Sequence, residues 1–310
     1  MDSSEITRGY TEIDRQADHL QDLYTVMYGF VGRSLCERLG FDGEAALREA
    51  TRRYGIDRGT KDRQAHLDAG CRVNVYNAFN VGAGLPGNKR TISYRFESTP
   101  RSHRSHVLTC PMAEIWDRTG CFDIGRIYCE EFHFAYYNSY GFNKTRVDLA
   151  TTLTERGARY CSFNVRLNPD ELPAALRPLC FDEYAKEPEA ADLSCFKPRT
   201  AQQGYRSLYL RLYIYLYLTA REQLGQAGCD AVCKGLNEMA AFSADYLKQR
   251  AAAGGRLIDD AYLRLNYPAS LAPDTDLEPG WDAYPADEAK INHMRYLAGP
   301  LKQKLGVAIK

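Results

Sequence analysis

Residues 23–54 read LYTVMYGFVGRSLCERLGFDGEAALREATRRY. Leu23, Met27, Phe30, Val31 and Leu35, then Ala46, Leu47, Ala50 and Tyr54, recur at the three- and four-residue spacing of a helix that buries one face. The pattern breaks at Leu39-Gly40-Phe41-Asp42-Gly43, so the stretch predicts two helices joined by a turn. Gly40 suits a helix C-terminus, and Glu44 falls where the dipole of the next helix favours negative charge.

The same arrangement returns farther along. Tyr24, Tyr28, Glu37, Leu39, Gly40 and Gly43 correspond to Tyr209, Tyr213, Glu222, Leu224, Gly225 and Gly228, each 185 residues on. Gly70-Cys71-Arg72-Val73 is echoed by Gly254-Gly255-Arg256-Leu257 with a one-residue slip. The spacing predicts a duplicated helical hairpin. The second copy runs into a Pro/Asp-rich loop through Pro285 and is expected to support or cover a site in the first. Its tyrosine run, Tyr209 to Tyr217, reads as core.

Between the copies lie strand signals. Ile92, Tyr94 and Phe96 alternate with polar residues, as do Cys161, Phe163, Val165 and Leu167, and Ser105 to Thr109 is placed to pair with them. Ala113 to Arg118 and Arg126 to Tyr140 read as helices inserted in that sheet. The expected fold class is therefore α+β, mostly helical, with a central antiparallel sheet. The expected division is residues 1–181 carrying the site, a Pro/Ala/acidic linker at 182–199, and 200–310 as the second hairpin, packed on the first as one unit or folded separately. Val81 to Gly87 is glycine-rich but lacks the Lys-Ser/Thr ending of a phosphate loop, and reads as a connector.

Forty basic residues balance forty acidic ones. No global field draws the chain to nucleic acid or an anionic membrane, so a small-molecule substrate is expected, and a homo-oligomer is compatible with the composition. The start lacks a signal-peptide pattern and no apolar run reaches the ~20 residues of a membrane helix, which predicts a cytoplasmic protein. In that setting the ten cysteines are expected to be reduced and mostly inert.

Chemistry concentrates between Cys110 and Phe163. Cys129 and His133 are four apart in a helical segment and leave one face, so His133 is expected to keep a nucleophilic Cys129 ionised, with Glu130 or Glu131 moving protons. The alternative is zinc on Cys129 and His133, with Glu130 at the position of the catalytic glutamate of an H-E-x-x-H helix and Cys161, Cys110 or His106 as third ligand. Otherwise no metal or cofactor is expected. Cys161 is a further catalytic candidate, although its strand face suggests a core thiol. Cys110, at a strand end, is a substrate-binding candidate, as are His103, His106 and Arg104, which suit a carboxylate. Glu114 reads as a helix-start carboxylate, and Cys229 with Cys233 does not make a persuasive metal pair.

Taken in order, Ala46-Leu47-Arg48-Glu49-Ala50, Arg53-Tyr54-Gly55, His106 to Pro111, Tyr128-Cys129-Glu130-Glu131, Gly141-Phe142-Asn143, Gly157 and Cys161-Ser162-Phe163 resemble the L-2-amino-thiazoline-4-carboxylic acid hydrolase family, over roughly Gln21 to Leu167. The resemblance implies hydrolytic opening of a C–N bond in a small cyclic amidine or imine carrying a carboxylate. It adds Asn143, otherwise a turn residue, as a substrate contact. Two other readings stand beside it: a ring-forming or ring-modifying enzyme of natural-product biosynthesis, and a non-catalytic small-molecule-binding protein.

Overall fold

Two long bent helices carry the architecture. A computed structural model describes residues 10–82, 89–185, 191–196, 200–269, 271, 281 and 286–307. Helix α1 runs Glu12–Asp68 from an N-cap at Thr11, whose side chain accepts from Asp14 N–H while the Asp14 carboxylate accepts from Thr11 N–H at 2.8 Å. The expected turn at 39–43 is not a loop. The chain bends at one residue, Gly40, with φ 56° and ψ −130°, a conformation that side chains resist, and continues as helix. The later long helix, Ala201–Ala253, is capped in the same way by Thr200 and Gln203 and bends at Gly225 with φ 59° and ψ −140°.

After α1 come α2 (Val75–Asn80), β1 (Ile92–Ser98), β2 (Ser102–Thr109), α3 (Pro111–Arg118), α4 (Phe122–Tyr140), β3 (Arg146–Leu149), β4 (Cys161–Arg166) and α5 (Arg177–Cys180). The second long helix is α6, followed by α7 (Asp260–Asn266), α8 (Asp287–His293) and α9 (Gly299–Leu305). The protein is thus α+β, with a four-stranded antiparallel sheet ordered β1-β2-β4-β3. Strand β3 escaped the sequence reading because its four residues alternate half-buried with exposed and carry only two apolar side chains.

The main core joins the two long helices. Leu20, Leu23, Met27 and Val31 of α1 are fully buried with Leu212 and Leu216 of α6. The seam is tight: Ser34 donates to the Ala231 carbonyl at 2.6 Å, and a Cβ at Gly235 would sit 2.6 Å from the Val31 Cα. Tyr209, Tyr213 and Tyr217 have no exposed surface, so the tyrosine run is core. A smaller cluster beneath the sheet holds Val73, Val165, Leu167 and Phe181. No described helix is long and apolar enough to cross a membrane. Residues 83–88 of the glycine-rich segment, and most of the Pro/Asp-rich loop before Pro285, lie outside the described residues.

Helix α4 lies against the second half of α1 at a distance only glycine permits. A Cβ on Gly55 would meet the Ala135 Cβ at 2.8 Å, and one on Gly59 would run into the Ser139 hydroxyl and the Tyr136 carbonyl. Gly59→Ala is therefore expected to cost about 3 kcal/mol through overpacking and to lower the melting midpoint by roughly 5 °C or more. Urea unfolding checks this, and a midpoint equal to that of the parent protein would refute the close approach.

Candidate active site

Helix α4 presents Cys129, His133 and Tyr137 toward the inner face of the sheet, the successive positions of one helix face. Opposite, the antiparallel register places Val107 beside Cys161, Ser105 beside Phe163 and His103 beside Val165. The seam between helix and sheet therefore has a thiol end, a middle at His133 and Phe163, whose rings meet edge-on at 5.0 Å, and a far end where Phe79 stacks on both Tyr137 and His103.

At the thiol end three cysteines converge from β2, α4 and β4. Burial pushes the Cys129 thiol far above its ordinary range, and Cys110 and Cys161 raise it further against a hydrogen bond from Thr154. Burial also lifts Cys161, to about 11, although its sulfur accepts from the Leu153 N–H at 3.1 Å. Cys110 differs from both. It is only half-buried and stands at the N-cap position of α3; burial raises its pKa above the ordinary thiol value, and the amides of Ala113 and Met112 offset only part of that rise. It also lines an open cleft of about 450 Å³ with Glu114, Asp117, Phe122, Glu155 and Arg156. Cys129 and Cys161 do not line it.

His133 does not serve Cys129 as the sequence suggested. Burial first, and then the positive charge of Arg58, hold its pKa down to about 4, so at neutral pH it is an uncharged imidazole. An uncharged ring cannot stabilise a neighbouring thiolate as an ion pair, and burial keeps Cys129 a neutral thiol. Arg58 is held over the rings of Tyr54, Phe132 and Tyr136, 5.3–5.8 Å from their centroids, and forms no ion pair among the described residues. Beside it the Tyr24 hydroxyl meets those of Tyr54 at 3.2 Å and Tyr128 at 3.0 Å.

The two glutamates are also placed elsewhere. Glu130 pairs with Arg48 at 2.7 Å and Arg126 at 2.9 Å, and Glu131 with Arg48 at 3.1 Å and Arg52 at 2.9 Å. They form an ionic lattice between α1 and α4 rather than a proton relay to sulfur. The residues expected to hold a carboxylate are split by the strand that carries them. His103 is buried, donates or accepts at Ser105 Oγ at 3.0 Å, and is held uncharged, with a pKa of about 4, by burial and by Arg95. His106 lies on the outer face, stacked on Tyr160 at 4.0 Å, and Arg104 is exposed on that face. Asn143 is an exposed turn residue with φ 60°, its N–H donating to the Asn138 carbonyl at 2.8 Å. Among the described residues no group of three or more His, Cys, Asp and Glu could hold a metal ion.

Sequence reasoning missed Arg58, Glu155 and Arg156. Arg58 had a faint signal, since Tyr54 precedes it by one helical turn and Phe132 and Tyr136 are likewise four apart. Glu155 and Arg156 sit in a polar loop that nothing in the sequence ties to Cys110.

The family model described as L-2-amino-thiazoline-4-carboxylic acid hydrolase matches residues 23–165. No curated protein and no solved structure gives a significant match to the chain. The matched stretch opens in α1 and closes in β4, and so takes in the Gly40 bend, the tyrosine cluster, the sheet as far as Val165 and all three converging thiols. Over this stretch, a little under half of its length, the chain is similar to the L-2-amino-thiazoline-4-carboxylic acid hydrolase family.

Proposed function

We propose that the protein hydrolyses a C–N bond of a small cyclic amidine or imine that carries a carboxylate, with Cys110 as the nucleophile. One observation carries this reading: of the three converging thiols, only Cys110 combines access to the cleft with a helix N-terminus behind its sulfur. The match of residues 23–165 to a hydrolase family model supports the reaction class.

In the proposed reaction a cleft carboxylate, Glu114 or Glu155, takes the Cys110 proton and the sulfur adds to the amidine carbon. The C=N electron pair moves onto the ring nitrogen, which receives that proton. The exocyclic amino group then forms a new C=N bond with its lone pair and gives up a proton, which the same carboxylate passes to the ring nitrogen as the ring C–N bond breaks and the nitrogen departs as a primary amine. Water then adds to the same carbon and expels the Cys110 thiolate. Arg156, held near the Phe122 ring at 5.7 Å, offers the substrate carboxylate a guanidinium at the cleft wall.

Mass spectrometry of L-2-aminothiazoline-4-carboxylate incubated with the protein tests this. The expected product carries one added water and a new primary amine. A product bearing a new small-molecule thiol would mean that the C–S bond opened instead, and no product at all would remove this substrate.

A further inference from the structure

We propose that Arg58, His133 and Tyr137 line a recess between α1, α4 and the sheet that binds a carboxylate carried on a flat ring. A continuous run of ring contacts holds these three side chains together. The Arg58 guanidinium lies 5.3 Å from the Phe132 ring and 5.5 Å from that of Tyr136. Phe132 meets His133 at 5.5 Å, Tyr136 meets Tyr137 at 5.0 Å, and the His133 and Tyr137 rings stack at 6.5 Å. The Arg58 charge reaches both: after burial it is the second cause of the low His133 pKa, and it acts on Tyr137 as well.

The three are open and unpaired at once. Each is half-buried, and none makes a hydrogen bond or an ion pair among the described residues, yet their polar atoms keep accessible surface that a ligand can touch. Burial is nevertheless the first cause acting on the pKa of each, so that surface faces an enclosed space rather than bulk water. Other half-buried arginines have carboxylates: Arg48 holds Glu130 at 2.7 Å, Arg53 holds Glu222 at 2.5 Å and Arg90 holds Asp22 at 2.5 Å. Arg58 has only ring faces, and Asp62, one helical turn on, accepts from the Tyr136 hydroxyl at 2.7 Å instead. A guanidinium keeps its charge and brings five N–H donors and no acceptor. Withdrawn from water without a counter-charge it is destabilising, and an anion is the group that relieves it.

The neighbours define the rest of the ligand. A carboxylate accepts two parallel N–H bonds from Arg58, while the Tyr137 hydroxyl and the uncharged His133 imidazole each offer a further donor. The walls are aromatic, with Tyr54, Phe132 and Tyr136 around Arg58, and Phe163 edge-on to His133 at 5.0 Å. A flat ring fits such walls by stacking. None of the three residues lines the Cys110 cleft, and the proposal does not rest on that nucleophile.

Isothermal titration of the whole chain with benzoate tests the proposal, with benzamide as the uncharged isostere and acetate as the carboxylate without a ring. Saturable heat is expected with benzoate alone. Arg58→Met is expected to weaken it roughly tenfold or more, Tyr137→Phe about threefold, and Arg156→Met, in the Cys110 cleft, to leave it unchanged. Tyr137→Phe removes one oxygen atom from a half-buried ring, so it reports even if Arg58→Met does not fold. Absence of benzoate heat would overturn the proposal, as would equal heat from benzamide or acetate, unweakened binding in Arg58→Met or in Tyr137→Phe, or loss of binding in Arg156→Met.

Discussion

Cys110→Ala protein is expected to lose amidine turnover by about 10³-fold or more, with little change in stability. The sulfur is half-buried at the edge of a cleft, so its removal leaves no enclosed void. Cys129→Ala should behave in the opposite way. Its side chain is 8% exposed and packed beneath the sheet, so its loss should lower the unfolding midpoint while leaving most of the turnover. Steady-state rates and urea midpoints on the two variants together separate nucleophile from packing. Full activity in Cys110→Ala would return the nucleophile to another group.

Mild acid is expected to cost this protein much of its stability. Burial holds His19, His103 and His133 down to about 4 and His293 to about 3, and it lowers His66 as well. Each is uncharged in the folded state, whereas in the unfolded chain each takes a proton as the pH falls below about 6.5. The unfolded state then binds more protons, so their contribution is complete above about pH 6.5 and is lost as the pH falls toward 4. Each group costs up to about 1.4 kcal/mol per pH unit in that window. Asp18 works the other way: its folded pKa is raised, so it favours folding as the pH drops through 6. After that offset and partial screening, roughly 5 kcal/mol should be gone by pH 5, a large share of the stability of an ordinary domain. Urea midpoints at pH 7.5, 6.0 and 5.0 check the slope. A midpoint that stays flat or rises across that interval would show that these imidazoles take up protons in the folded protein.

The secondary structure was largely legible because each element advertises its period. Helices α3 and α4 and strands β1, β2 and β4 stand where alternation or a helical stripe placed them. The joint at Gly40 was misjudged in kind, since a single glycine with positive φ redirects a helix without the polar residues that mark a loop. In the site, all three thiols were named from the sequence, but their roles were not legible. Spacing puts Cys129 and His133 on one helix face and says nothing of whether that face meets solvent or a sheet. Consecutive Glu130 and Glu131 looked like proton carriers because Arg48, which binds both, is 82 and 83 residues away. The division of His103 from His106 was readable in principle, because residues an odd number apart on a strand point to opposite faces. The ion pair of Asp18 with Arg90 at 3.1 Å was not, since only tertiary packing brings those segments together.

The seam of α1 against α6 decides what kind of object the family segment is. Cut free at residue 165, that segment would show water the surface formed by Leu23, Met27 and Val31, together with the Ser34 hydroxyl that now meets the Ala231 carbonyl. An apolar stripe of that length on a soluble chain calls for a second subunit. Here the covering helix is tethered in cis, so its effective concentration is fixed by the linker rather than by expression level. The helix Ala201–Ala253 thus does the work of a permanently attached partner, and the apolar face of α1 stays covered however dilute the protein becomes.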